Sequence, residues 1–344
     1  MFLINMVDKN IFLVAFSFLS LQIQILNCFM ETKELKEAIL KLKKEKNAVI
    51  LGHYYQRDEI QELSDFVGDS LALAQEAQRT ECDIIVFCGV HFMAETAKVL
   101  NPQRKVLLPD MEANCSLARC CPADAFAEFK AQYPDHMVIS YVNCSAEIKA
   151  LSDLICTSGN AEKLVNSLPK DQKIIFAPDK NLGGYINRQT GRNMVLWNGT
   201  CTVHDALTAE GILKLKLANP DAPVIAHPEC NAAVLQVSEF IGSTKAMLNY
   251  IKKSDSKRFI VATESGILYE MRQANPDKEF LAVSAQEGCS CLECADMKMN
   301  TLEKLYNCLL NENPEIILSD DLIEKAKQPI IRMLDMSKQL GIIK

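Results

Sequence analysis

The chain of 344 residues is 49% hydrophobic and 24% charged, with a formal net charge of −7. That balance excludes a general nucleic-acid binder, which needs a basic face, and the length allows two or three compact units. It leaves small anionic substrates open, because helix ends bind anions even on acidic proteins. The 14 cysteines show no regular disulfide spacing, which favours metal ligands or buried thiols.

Residues 1–29 do not resemble the rest. Ile11 to Leu26 is apolar and free of charge, after a start containing Lys9. It is close to signal-peptide length and short for a membrane span. Asn27–Cys28 lacks the small residues of a cleavage site. Three readings stay open: a start at Met30, a membrane-tethering extension, or a signal peptide. From Glu31 to Lys46 the pattern is that of an amphipathic helix, with Leu35, Ala38, Ile39 and Leu42 on one face.

Three stretches then align without a gap. Val49-Ile-Leu-Gly-His53-Tyr-Tyr55 leads to Leu63-Ser-Asp and Asp69-Ser70. Val138-Ile-Ser-Tyr141-Val-Asn143 leads to Leu151-Ser-Asp and Thr157-Ser158. Val224-Ile-Ala-His227-Pro-Glu229 leads to Val237-Ser-Glu and Ser243-Thr244. Each continues into a helix (Leu71–Arg79, Ala161–Ser167, Lys245–Lys252) and a second apolar strand. Each closes with a third apolar run: Val106–Leu108, Met194–Leu196, Phe280–Val283.

Short apolar runs alternating with helices predict parallel sheets covered by helices. The expected fold is therefore α/β, with three homologous three-layer α/β/α domains around a pseudo-threefold axis. The expected divisions are 30–115 with 290–344, then 116–201, then 202–289. The last helix, about Asp321 to Leu340, is expected to pack back on the first unit. Groups at the carboxyl ends of strands face the site in such sheets. His53, Tyr141 and His227 lie there, as do Tyr55, Asn143 and Glu229. Glu229 and Tyr55 suit proton transfer, while His53, Tyr141 and Asn143 suit positioning. Ser70, Ser158, Ser243 and Thr244 sit where helices begin, as N-caps or as anion cradles.

Each third run leads into a cysteine: Cys115, Cys201, and the group Cys289, Cys291, Cys294. Three quasi-equivalent thiols converging on one axis make a socket for an iron–sulfur cluster or zinc. With three protein thiolates, one iron keeps an open position and acts as a Lewis acid. Cys82, Cys88, Cys144, Cys156, Cys230 and Cys308 read as structural.

These residues resemble the quinolinate synthase family from Met30 to the C-terminus. The resemblance is carried by Gly52-His-Tyr-Tyr-Gln56, Gly68-Asp-Ser70, Phe87-Cys-Gly-Val-His-Phe-Met-Ala-Glu-Thr96, Pro178-Asp-Lys-Asn-Leu-Gly-Gly-Tyr185, His227-Pro-Glu-Cys230 and Gly242-Ser-Thr244. It implies a cytoplasmic enzyme that condenses iminoaspartate with dihydroxyacetone phosphate. It implies a 4Fe-4S cluster held by Cys115, Cys201 and one cysteine of the last group. Cys294 is chosen because it precedes Ala295-Asp-Met-Lys-Met-Asn300, with Cys291 and Cys289 left open. The implied substrate contacts are His53, Tyr55, Ser70, Tyr141, Asn143, Ser158, His227, Glu229, Ser243 and Thr244; His53 and His227 join Glu229 and Tyr55 as catalytic candidates. The implied supplier of iminoaspartate is an L-aspartate oxidase. Two rivals are another three-domain iron–sulfur enzyme, of the reductive dehydroxylase or diphthamide-synthesis kind, and a zinc-stapled binding protein. The segment before Met30 departs from the family pattern and bears on localisation, not on chemistry.

Overall fold

The computed structural model describes residues 32–284 and 292–343; the segment 1–29, Met30, Cys289 and Cys291 lie outside the described residues. Among the described residues twelve strands form three four-stranded sheets. The first holds β1 (Ala48–His53), β2 (Phe66–Gly68), β3 (Ile84–Cys88) and β4 (Lys105–Leu107) in the order β2-β1-β3-β4. The second holds β5 (Met137–Tyr141), β6 (Leu154–Cys156), β7 (Ile174–Ala177) and β8 (Val195–Leu196). The third holds β9 (Val224–Ala226), β10 (Phe240–Ile241), β11 (Arg258–Ala262) and β12 (Glu279–Ala282). All three repeat one order, and every pairing is parallel. The expected α/β architecture is present. The short edge strands β2, β6 and β10 are an addition to the sequence reading, because two or three apolar residues are too few to show a period.

Each central strand is buried on both faces, as parallel sheets require. In the first sheet Ile50 and Val86 face Leu35, Ile39, Leu305 and Leu309 of the helices Thr32–Glu45 and Leu302–Asn311. Leu51 and Phe87 face the opposite way, onto Leu73 and Met93 of the helices Ser70–Arg79 and His91–Leu100. That second core runs without a break into Ile139, Phe176 and Leu164 of the second unit. The third sheet keeps two cores of its own. The last helix, Asp320–Gln339, lies mostly over β6 and the helix Ala146–Ala150 of the second unit, with a smaller contact to His91–Leu100 of the first. Its Ile330, Met333 and Leu334 join the shared core, so it seals the first two units together instead of returning to the first alone.

The Ser-Asp and Ser-Glu pairs of the repeat prove to be structural. Asp65, Asp153 and Glu239 each accept from a backbone N–H of the central strand, at Ile50 (2.8 Å), Val138 (2.7 Å) and Val224 (2.7 Å). Their own N–H groups donate back to the carbonyls of those same residues. Ser64, Ser152 and Ser238 each donate to the carbonyl four residues earlier. Each pair thus ends the preceding short helix and latches the edge strand to the central one. The residue across from the serine is Gly52 in the first unit, where a Cβ would collide with the Ser64 hydroxyl, and Ser140 in the second, whose hydroxyl bonds that of Ser152 at 2.7 Å; Ala226 holds the same repeat position in the third.

A hydrogen bond to a charged acceptor contributes roughly 1.5–3 kcal/mol. Asp153→Ala is therefore expected to destabilise the chain by about that amount, read as a lower urea midpoint with an unchanged slope. An unaltered midpoint would refute the latch.

Candidate functional site

The carboxyl ends of the three sheets line one cavity of about 270 Å³. His53 ends β1, Tyr141 ends β5, and His227 follows β9 directly. Of the residues anticipated from the repeat, His53, Tyr55, Ser70, Tyr141, Asn143, Ser158, His227, Glu229 and Thr244 line this cavity. Ser243 does not line it. Its hydroxyl accepts from Ala246 N at 3.3 Å and caps the helix Thr244–Lys253. In the first unit the cap is Asp69, which accepts from Ala72 N, so Ser70 is the first helical residue and not the cap. In the second unit the helix begins only at Ala161, and Ser158 stands clear of its end. The hydroxyls of Ser70, Ser158 and Thr244 are thereby released from capping and left on the cavity side.

Each histidine is oriented by its own backbone. Tyr55 N donates to His53 Nδ1 at 3.1 Å, and Glu229 N donates to His227 Nδ1 at 3.4 Å. An acceptor Nδ1 leaves the proton on Nε2, which in His227 lies 3.2 Å from the Ser158 hydroxyl. Burial pushes the His53 imidazole down to about 3; Glu229 opposes the shift, while His227 and Lys298 add to it. His227 falls to about 3 for the same first reason, with Glu229 opposing and His204 adding. Both rings are neutral at pH 7.

Glu229 is buried but behaves as an anion. Burial alone would raise its carboxyl, but His204 and His227 beside it, with hydrogen bonds from His204 and Tyr141, hold it down at about 2. His204 Nδ1 lies 2.8 Å from Glu229 Oε2, and Asn143 Nδ2 lies 3.4 Å from Oε1. His204 is also 3.2 Å from Cys201 Sγ through Nδ1, and 2.9 Å from Thr263 Oγ1 through Nε2. Neither His204 nor Thr263 was among the residues anticipated from the sequence. The signal for His204 was its spacing from Cys201. For Thr263 it was the break in the repeat, where Gly89 and Pro178 carry no hydroxyl.

Cys115, Cys201 and Cys294 all face the same cavity. Each stands immediately before a four-residue helix: Ser116–Arg119, Thr202–Asp205 and Ala295–Lys298. Backbone N–H groups of those turns point at the sulfurs, from Ala118 and Leu117, from His204, and from Met297 and Asp296. The three turns are tied together. Arg119 makes a two-pronged contact with Asp296 at 3.2 and 3.1 Å, and Thr202 bonds Ser116. Cys294 N donates to Glu264, a fully buried carboxyl that burial pushes up to about 7 against the pull of Lys298 and two backbone N–H groups. Burial raises all three thiols, Cys294 least, to about 11. Among the described residues Cys88, Cys144, Cys156, Cys230 and Cys308 are buried away from this cavity, and Cys82 is half-buried outside it. One set of metal-competent donors, Cys201, His204 and Glu229, lies with its atoms within 4.8 Å of one another.

The chemistry of this chain sits where its units meet and in none of them singly, which makes it an enzyme of the triplicated α/β/α kind. Residues 37–335 match the family described as quinolinate synthetase A protein. The quinolinate synthase of Microcystis aeruginosa is 59% identical over 304 residues, covering 88% of this chain and 95% of the relative. That of Chloroherpeton thalassium is 60% identical over 306 residues, covering 89% and 95%. That of a Synechocystis strain is 57% identical over 305 residues, covering 89% and 96%. The chain belongs to the quinolinate synthase family. Among the described residues no helix is long and apolar enough to cross a membrane.

The thiolate is the nucleophile toward alkylating agents. Brief alkylation of the metal-free chain at neutral pH, with peptide mapping, is therefore expected to label Cys294 ahead of Cys115 and Cys201. Faster labelling of either of those two would contradict the ordering of the thiols.

Proposed function

We propose that this cavity condenses iminoaspartate with dihydroxyacetone phosphate to quinolinate, with release of phosphate and water. The observation that carries the reading is the threefold recurrence of a cysteine before a four-residue helix on one cavity wall. These thiols fit an iron–sulfur cluster. They are soft donors, the backbone N–H groups around them stabilise the thiolate form, and binding a metal displaces the protons that burial retains. Cys115, Cys201 and Cys294 would hold a 4Fe-4S cluster. Cys294 is favoured over Cys289 and Cys291 by its match to the other two turns. Bound there, the cluster would supply an iron without a protein ligand, a Lewis acid for a substrate carboxylate or hydroxyl.

The side chains account for the rest. Ser70, Ser158 and Thr244 offer hydroxyls to two carboxylates and a phosphate, with Ser243 holding its helix end in place. His53, Tyr141, Asn143 and His227 orient the reactants as neutral donors and acceptors. Glu229, ionised, takes a proton during imine–enamine rearrangement and returns it when water leaves; Tyr55 faces it across the cavity as the second acid–base group. Iminoaspartate is an imine that hydrolyses readily, so the reaction requires that water be kept from it while it is bound. Supply by an L-aspartate oxidase, a cytoplasmic setting and the unit boundaries near 115, 201 and 289 belong to the same reading.

Anaerobic reconstitution, iron and sulfide analysis and a quinolinate assay test it. Cys201→Ser is expected to lose the cluster, and Cys82→Ser to keep it; full retention in the Cys201 variant would sink the assignment. Glu229→Gln keeps shape and hydrogen bonding but not the base. With its cluster loaded, it is expected to turn over roughly a hundredfold more slowly or worse. Near-normal turnover would leave Glu229 a structural residue.

A further inference from the structure

Gln61 and Lys149 stand eight residues after His53 and Tyr141, so they hold one place in two repeats. Both lie behind the cavity and not among the residues lining it. Both are buried, at 3% and 0% exposure. Each reaches back to the carbonyl five residues earlier: Gln61 Nε2 donates to Gln56 O at 2.9 Å, and Lys149 Nζ donates to Cys144 O. Those carbonyls directly follow Tyr55 and Asn143. Gln61 also donates to Tyr54 O and to Gly266 O of the third unit, each at 3.1 Å. The Lys149 loop is held from the first unit as well. The ammonium lies 5.4 Å from the centre of the Phe92 ring, and Glu95 accepts from Ala146 N at 2.9 Å. In the third unit Leu235 takes the place and has nothing to donate. There Pro228 stiffens the loop, and Asn181 donates to Glu229 O at 3.1 Å.

We infer that Gln61 and Lys149 are positioning residues of the reaction, each holding from behind the loop that presents Tyr55 or Asn143 to the cavity. A buried ammonium is costly, and Leu235 shows that the fold accepts an apolar side chain at this place. Lys149 is therefore kept for what it donates to. What the loop needs is a donor and not a charge, because the neutral amide of Gln61 does the same work over the same five residues. Without the brace the loop between strand end and short helix regains its soft dihedrals. Asn143 Nδ2 lies 3.4 Å from Glu229 Oε1, so a slip of this loop parts the two groups. A misplacement of about 1 Å in a reacting group can cost about a hundredfold in rate.

The inference rests on the functional reading above, and the test separates the two. Lys149→Met removes charge and donor and keeps the length; Lys149→Gln removes the charge and installs the donor of the sister unit. Both lose the charge, so their difference reports the bond to Cys144 O. In the cluster-loaded full chain, Lys149→Met is expected to hold its iron and sulfide while kcat falls about tenfold to a hundredfold. KM should move by less than about threefold, and Lys149→Gln should recover most of kcat. Asp153→Ala, which weakens the sheet edge and touches no site loop, should keep kcat. Unchanged kcat in Lys149→Met, no recovery in Lys149→Gln, or an equal loss in Asp153→Ala overturns the inference. A second measurement needs neither metal nor substrate. Amide hydrogen exchange of the metal-free chain should quicken at residues 142–146 in Lys149→Met and return toward the native rate in Lys149→Gln. Identical protection there in all three overturns the brace even if the native chain makes quinolinate; a native chain that makes none overturns the functional reading alone. Should Lys149→Met fail to fold, Gln61→Met is read in the same two ways, with exchange followed at residues 54–56.

Discussion

A buried carboxylate must be compensated on every side, and Glu229 is the one around which this cavity is arranged. Leaving such a charge unpaired costs several kcal/mol. Its compensation comes from His204, Tyr141 and Asn143, which belong to different segments of the chain. The units therefore cannot separate without exposing or stranding that charge. The neutrality of His53 and His227 is part of the same balance, since burial strips their protons while the carboxylate resists.

Triplication supplied the scaffold and then allowed the three copies to diverge. The parts that repeat without change are mechanical: one strand order, one Ser-acid latch, one small residue under the serine. The parts that differ lie on the cavity side. Tyr55, Asn143 and Glu229 share a position, as do Val90, Asp179 and Glu264 after the middle strands. A pair of dissimilar substrates needs three different walls, and a symmetric shell with asymmetric linings provides them. The latches can stay identical because they sit on strand edges, away from any ligand.

The thiols form a socket built before any metal arrives. Four-residue helices fix each cysteine, and Arg119–Asp296, Ser116–Thr202 and Glu264–Cys294 hold the turns against one another. Burial keeps the thiols protonated in the meantime, which protects them from oxidants that react with thiolates. Glu264 also approaches Lys298 at 3.7 Å, and Lys298 donates to the carbonyls of Tyr55 and Gln56. The loop bearing Tyr55 and the turn bearing Cys294 are thus set by one buried pair, so that socket and cavity form a single assembly.

The sequence by itself determined the strands, the helices between them and the threefold repeat, because apolar period and turn residues are local. It also placed Cys115, Cys201, Cys294, His53 and Glu229 at strand ends, where parallel sheets put their chemistry. Tertiary structure decided which polar repeats were mechanical. Ser64-Asp65 and Asp69-Ser70 look alike along the chain, but the first pair turns to the sheet edge and Ser70 turns to the cavity. Only packing brought His204 and Thr263 to Glu229 and Tyr55, since those four residues lie 25 to 208 positions apart. No period or motif spans such distances; a hydrogen-bond chain between units exists only once the units have docked.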